Sequence, residues 1–240
     1  EAVERYRQTG SLVQSAAVHE EIFQSYLQSL IKYNQRADAD SLDLLMRSLP
    51  RHVGSQIKYT RLAPDQRIEK TKTSLDILEK ALIVQTASAA DAAGLPLNAH
   101  ISAKKIKPLF LDVGLMQYVC GIDPAAILAD RDLSLIYKGA LAEQFVGQEL
   151  LAAGGSENGK LFYWARNKKN SNAEVDYLAV HQGTVFPIEV KSGPAGKLKS
   201  LHLFLAEHPQ VTKGIVMSPA GPDCQQIEKL FFLPIYARFN

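Results

Sequence analysis

The sequence predicts an α/β protein: a mixed sheet flanked by helices in the second half, preceded by a mostly helical first half. Two observations carry this. Between residues 137 and 218 the apolar pattern alternates between a helical and a strand period in the order α-β-β-β-α-β. Between residues 18 and 82 helical spacing dominates, followed by one pair of short β-prone runs.

From Val18 to Tyr33, the residues Ile22, Phe23, Tyr26, Leu27, Leu30 and Ile31 form one apolar stripe, so a helix of about four turns is expected. Asp38 to Ser41 cap a second helix over 41–49, which stops at Pro50. A short helix is expected across 51–57 and a long one from Ala63 to Leu82, entered through Pro64 and Asp65. The β-prone runs Leu82 to Thr86 and Leu97 to Ile101 then read as two strands of a hairpin. Three helices and a two-stranded hairpin make a winged-helix layout. Residues 109–119 read as a short strand running into a helix, and the turn Gly121–Pro124 marks a domain border. The expected division is a helical, winged-helix-like domain over 1–124 and an α/β domain over 125–240. Within the second, Tyr137 to Ala153 and Leu198 to Ala206 read as helices. Leu161 to Ala165, Ala173 to Val180, Thr184 to Lys191 and Gly214 to Ser218 read as strands.

Composition excludes several classes. Lys and Arg number 27 against 25 Asp and Glu, so net charge neither demands nor excludes a polyanionic partner. Cys120 and Cys224 have no CxxC spacing and no histidine pair near them, which indicates neither a zinc site nor a disulfide framework. No stretch approaches the roughly 18 apolar residues of a membrane span, and EAVERYRQTG lacks the apolar core of a signal peptide. A cytoplasmic protein is expected. The chain begins without methionine, inside a helical pattern, as a piece of a longer protein would.

The chemistry gathers on one hairpin. Gln182-Gly183 sits between two β-rich runs, with glycine where a two-residue loop needs it. That turn puts Asp176 opposite Glu189 and Glu174 opposite Lys191, all on one face, converging at the exposed tip of the hairpin. Opposed carboxylates about 5 Å apart repel unless a proton or cation lies between them. A hard ion such as Mg²⁺, which keeps several waters, needs only Asp176, Glu189 and a backbone carbonyl such as that of Val190. Lys191 could then orient water or stabilise charge on a phosphate, as phosphodiester hydrolysis requires. Glu143, at the edge of the apolar stripe of YKGALAEQFVGQELLAA, can reach the strand ends. The plain alternative is a solvated acidic face with a Glu174–Lys191 cross-strand ion pair.

The order Glu143, Asp176, Glu189-x-Lys191 resembles the PD-(D/E)xK nuclease superfamily, whose core is the restriction-endonuclease-like α-β-β-β-α-β arrangement. The resemblance implies that Asp176 and Glu189 bind the metal, Mg²⁺ or Mn²⁺, that Lys191 assists the attacking water, and that Glu143 supports the site. Val175 stands where the motif's proline would be. The phrases EAVERYRQTG, YLQSLIKYN, LFLDVGLMQY, KGALAEQFVGQELL, YWARNKKNSNAEVDYL, FPIEVKSG and LKSLHLF, in that order, resemble the C-terminal region of a family of prokaryotic AAA-type ATPases. This resemblance implies an N-terminal P-loop domain that precedes the chain and is the sole place for ATP. It also implies a winged-helix segment and a nuclease-like C-terminal domain whose activity is generally unassigned, which leaves two expectations: metal-dependent cleavage of DNA, or a non-catalytic module serving protein or DNA recognition.

Other signals are weaker. Gly154 to Lys160 is spaced like a Walker A loop, but Leu161 replaces the Mg²⁺-binding hydroxyl and the string leaves a helix for a strand, so it reads as a helix stop and loop. Over Asp65 to Leu82, Arg67, Lys70, Lys72 and Lys80 are balanced by Asp65, Glu69, Asp76 and Glu79, which favours a protein partner for the winged helix over DNA. Arg166, Lys168 and Lys169, beside the hairpin, are the candidate nucleic-acid contacts. Lys104, Lys105 and Lys107 form a second basic cluster of the kind usually solvated. Tyr163 and Trp164 are candidates for base stacking, although Phe162 and Trp164 also suit a core.

Overall fold

The computed structural model describes residues 1–33, 38–122, 135–154, 157–168, 171–193, 198–219 and 224–237. The first half opens with α1 (Ala2–Thr9), which ends on Gly10 with φ 65°, and α2 (Leu12–Tyr33). α3 (Ala39–Ser48) starts where the sequence places it, with the Asp38 carboxylate accepting the Ser41 N–H at 2.8 Å. Phe23 and Leu30 of α2, Leu42, Leu45 and Met46 of α3, and Leu75 and Leu78 of α5 (Ile68–Lys80) share one core.

Three expectations in this half are corrected. The helix across 51–57 is instead a 3-10 turn, Leu49–His52, followed by the short α4 (Tyr59–Leu62). Both backbone groups of Ile57 bond Ile106, at 2.9 and 3.0 Å, so that residue is committed to an isolated β-bridge and cannot continue a helix. α5 begins at Ile68, after a turn in which the Gln66 N–H bonds the Ala63 carbonyl at 3.1 Å. The second hairpin strand is displaced: Leu97–His100 is a 3-10 turn, and the strand runs from Ile101 to Phe110. The Glu157 carboxylate accepts the Leu97 and Asn98 N–H groups at 2.7 and 3.1 Å and so caps that turn from a distance. α6 (Val113–Val119) follows, capped by Asp112.

One eight-stranded sheet runs through both halves among the described residues, in the order β2-β1-β3-β4-β5-β6-β8-β7. β1 (Val84–Ala90) pairs antiparallel with β2 (Ile101–Phe110) and parallel with β3 (Leu161–Ala165), which joins the halves. β4 (Glu174–His181), β5 (Thr184–Val190) and β6 (Gly214–Ser218) follow the expected order. β7 (Gln225–Ile227) and β8 (Leu230–Pro234) extend the sheet beyond it.

Helices cover both faces of this sheet. α7 (Leu135–Ala152) packs Ala142, Val146 and Leu150 against Tyr163, Tyr177, Ile188 and Val190. α8 (Lys199–Glu207) packs Leu201, Phe204 and Leu205 against Phe162, Trp164, Val175 and Leu178. The Trp164 and Phe204 rings meet edge to face at 5.3 Å. Side chains buried this fully contribute roughly 1.5–3 kcal/mol each.

α7 is held close by two devices. The Gln144 side chain pairs with both backbone groups of Phe110, at 2.9 and 2.7 Å, as a neighbouring strand would. Gly147 leaves no room for a side chain: a Cβ there would lie 2.0 Å from Leu109 Cδ2 and 2.6 Å from the Tyr177 hydroxyl. Gly147→Ala is therefore expected to lower stability by about 1–3 kcal/mol through overpacking, partly offset by up to about 1 kcal/mol of helix propensity. A urea midpoint at or above that of the wild type would refute this account. None of the described helices is long and apolar enough to cross a membrane.

Candidate metal and phosphate site

The hairpin turn has the backbone its sequence requires, with Gln182 at φ 49° and Gly183 at φ 73°, the two positive angles of a type I′ turn. Pairing follows the expected register from His181 with Thr184 to Tyr177 with Ile188. There the strands part, so the expected pairs Asp176–Glu189 and Glu174–Lys191 do not form. β4 continues with β3, pairing Val175 with Trp164 and Glu174 with Ala165, while β5 continues with β6, pairing Glu189 with Val216 and Val190 with Met217. A register shift leaves Asp176 and Tyr177 together opposite Tyr163, a bulge that bends β4 away from its partner.

Asp176 fills the fork. Its Oδ2 accepts the Val190 N–H at 2.8 Å, replacing the ladder bond that the parting strands give up. The candidate residues are thus at the end of the hairpin away from its turn, and they are enclosed. Glu189 is 7 % exposed, and the Asp176 and Glu143 side chains are 14 % and 16 % exposed. The expectation of an exposed tip is corrected, because α7 and β2 close over the fork. The plain alternative of a solvated Glu174–Lys191 pair is absent too: Glu174 is engaged elsewhere, and Lys191 Nζ bonds Glu189 Oε1 at 2.6 Å.

The partner of Glu174 is a residue from the first half. Lys107, in β2, is 2 % exposed, and its ammonium lies 2.8 Å from Glu143, 2.7 Å from Glu174 and 3.4 Å from Asp176. The rings of Tyr163 and Tyr177 flank it at 5.7 and 5.6 Å. Tyr177 in turn donates its hydroxyl to the Glu143 carbonyl at 2.9 Å. Gln56, also from the first half, donates to the second oxygen of Glu174. Gly54, with φ 76°, lets the chain pass beside Glu143: a Cβ would stand 3.2 Å from its carboxylate.

Charge is unevenly shared in this cluster. Burial alone would lower the Lys107 ammonium, but Glu143, Asp176 and Glu174 together hold it well above the usual lysine value. The acids are undersupplied. Burial, and then the charge of Asp176, push the Glu143 carboxyl up to about 8 against the pull of Lys107. The same two causes push Glu189 up to about 7, against Lys191. Glu189 Oε2 is buried and, among the described residues, has no hydrogen-bond partner. Among the described residues no group of three or more His, Cys, Asp or Glu side chains is arranged to hold a metal ion. The donors that remain, Asp176, Glu189 and a backbone carbonyl, suit a hard cation that retains its own waters.

The basic residues next to the hairpin are partly spoken for. Glu207 of α8 accepts from Arg166 Nε at 3.0 Å and from Lys168 Nζ at 3.0 Å. Lys169 lies outside the described residues. Tyr163 and Trp164 are 0 % and 2 % exposed, so neither can stack on a base, and the core reading of Trp164 holds. A groove of about 330 Å³ lies beside the cluster, lined by Gln56, Lys105, Tyr163, Ala165, Arg166 and Asn167. The hydrogen bonds of Arg166 and then Lys168 hold the Glu207 carboxyl down at about 2. A depressed carboxyl adds stability above its unfolded value, about 4.3, that is lost as pH falls toward the folded one. Glu207→Gln should therefore melt below the wild type at neutral pH, the gap closing between about pH 4 and about pH 2. A gap that stays constant over that range would contradict the pairing.

Sequence reasoning missed Lys107, Gln56 and Gln144. Lys107 stands next to Ile106 and shortly before Leu109 and Phe110, all buried. Extending the strand through this run would have turned it inward.

Two family models match the chain. Residues 1–126 match a domain of unknown function, DUF8612. Residues 138–237 match another, DUF4143, a domain typically found at the C-terminus of AAA ATPase family proteins. Lys107 and Gln56 fall in the first match, and all four carboxylates fall in the second. No curated protein and no solved structure matches the chain.

Proposed function

The chain belongs to the family of the DUF8612 domain, whose match spans more than half of it; with the DUF4143 match over residues 138–237 as support, we propose that it is the C-terminal region of a AAA-type ATPase carrying a Mg²⁺- or Mn²⁺-dependent DNA-cleaving domain. In this reading residues 1–124 are a winged-helix-like segment and residues 125–240 a restriction-endonuclease-like domain. ATP is handled by an N-terminal domain that precedes the chain.

The observation that carries the reading is the unpartnered, buried Oε2 of Glu189 at the fork that Asp176 fills. A buried carboxylate oxygen without a donor is costly, and a cation removes the cost. Charge counting agrees. With all four ionised, Glu143, Glu174, Asp176 and Glu189 face Lys107 and Lys191 alone among the described residues, a shortfall that one divalent ion would cover in place of the protons held by the raised Glu143 and Glu189 carboxyls. Asp176 and Glu189 would hold that ion. When bound, it supplies Lewis-acid polarisation of a phosphoryl oxygen and a more acidic water.

Lys191 is the catalytic residue of this reading. Its ammonium, held at 2.6 Å from Glu189, can orient the attacking water and balance charge on the phosphate. Glu143 supports the site from α7, itself fixed by Lys107. The groove beside the cluster, with Lys105 and Arg166 on its walls, offers a path for a phosphate backbone.

A second reading rests on a different observation, the Lys107 ammonium already seated among three carboxylates. On that reading the domain is a non-catalytic module for protein or DNA recognition coupled to the ATPase, and the fold has outlived its chemistry. Incubation of the purified chain with plasmid or single-stranded DNA separates the two. Cleavage that requires Mg²⁺ or Mn²⁺ and stops on chelation is expected; DNA left intact under all of these conditions favours the second reading.

A further inference from the structure

We propose that Glu143, Glu174 and Asp176 form a cation pocket of their own, which the Lys107 ammonium fills from the first family domain and which thereby limits the site to a single divalent ion. This extends the reading above and rests on it for the one ion expected in the wild-type chain.

The geometry is that of an occupied ligand site. An ammonium has three protons, and each faces a different carboxylate, at 2.8, 2.7 and 3.4 Å. The three acids come from α7 and β4 and are separated from Lys107 by 36 or more residues in sequence. Lys107 therefore reaches them only when β2 lies in the sheet. The ammonium is desolvated on all sides and capped by two tyrosine rings, as a bound cation would be.

The independent sign that this region is short of positive charge is Glu189. It is 7 % exposed, and among the described residues its Oε2 lacks a partner at the same fork, even with Lys107 and Lys191 both in place. Lys107 neutralises only one of the three acids it touches. With the ammonium in place no three of the described acids are arranged to hold a metal ion, and the tethered ammonium has no translational entropy to lose and so excludes free ions. The pocket is also shared between two matched domains, with the cation in residues 1–126 and the anions in residues 138–237. Docking of the first domain is thus linked to the state of the second, and a small cation competes with that docking.

Calorimetric titration with Mn²⁺ tests the pocket. Lys107→Ala removes the ammonium and leaves space, so it should bind one more ion per chain than the wild type, whatever the wild-type number. Lys107→Ala with Glu143→Gln should return to the wild-type number. A folded Lys107→Ala that binds no more Mn²⁺ than the wild type overturns the proposal. If Lys107→Ala does not fold in plain buffer, refolding followed by near-UV circular dichroism is measured with Mn²⁺ or with n-butylammonium, which restores the missing group. Recovery by either supports the pocket, and recovery by neither overturns it. A wild type that binds no Mn²⁺ beside a variant that binds one would sink the Asp176–Glu189 metal site while sustaining the pocket.

Discussion

Lys107→Met should lower the stability of the chain by about 3–5 kcal/mol, the loss seen when one partner of a buried ion pair is removed and the other charge is left unpaired. Methionine keeps most of the volume, so the deficit comes from charge and not from a cavity. Three carboxylates would lose their shared counterion, and all three have side chains less than a quarter exposed. The loss should shrink toward acid pH. Glu143 is already pushed up to about 8 with Lys107 present and rises further without it, so protonation relieves the repulsion as pH falls. Adding Glu143→Gln to Lys107→Met should restore part of the stability, because the two residues are in contact and their effects do not add. Urea titrations read both effects. A loss under about 1 kcal/mol, or one independent of pH, would mean that the cluster is not held by Lys107.

If the domain cleaves DNA as proposed, Lys191→Ala should reduce the metal-dependent activity by 10²- to 10³-fold, about 2.7–4 kcal/mol in the barrier, as removal of one group that stabilises transition-state charge does elsewhere. The side chain is 25 % exposed and, among the described residues, its ion pair is with Glu189, so the fold should survive the change. The expected signature is a fall in kcat with KM and Mn²⁺ binding retained. Asp176→Asn should behave in the opposite way, losing the calorimetric Mn²⁺ signal together with cleavage. Equal loss of metal binding in both variants would make Lys191 a structural residue, and unchanged cleavage in Lys191→Ala would remove it from the chemistry.

These two lysines also mark how far the sequence could be read. Lys191 follows Glu189 by two positions in a strand, and the strand period together with the Gln182-Gly183 turn brings both near Asp176 without knowledge of anything else in the chain. Lys107 obeys no such local rule. It lies in a run of lysines that reads as solvated, and an isolated buried ammonium is among the least favourable things a strand can carry. It becomes favourable only after three acids from distant elements have gathered around it.

By itself the sequence determined the α-β-β-β-α-β order, the hairpin and its register as far as Tyr177 and Ile188, and the Asp38 cap, because each follows from hydrogen bonds or apolar periods spanning a few residues. It also put Glu143 on the helix edge from which it can reach the strands. Tertiary structure alone decided that β1 and β3 join both halves in one sheet, that β4 and β5 part at Asp176, and that the acidic cluster is enclosed and holds Lys107. The reason is physical. Strand pairing between distant segments and the desolvation of charge depend on what packs against a residue, and no local pattern contains that information.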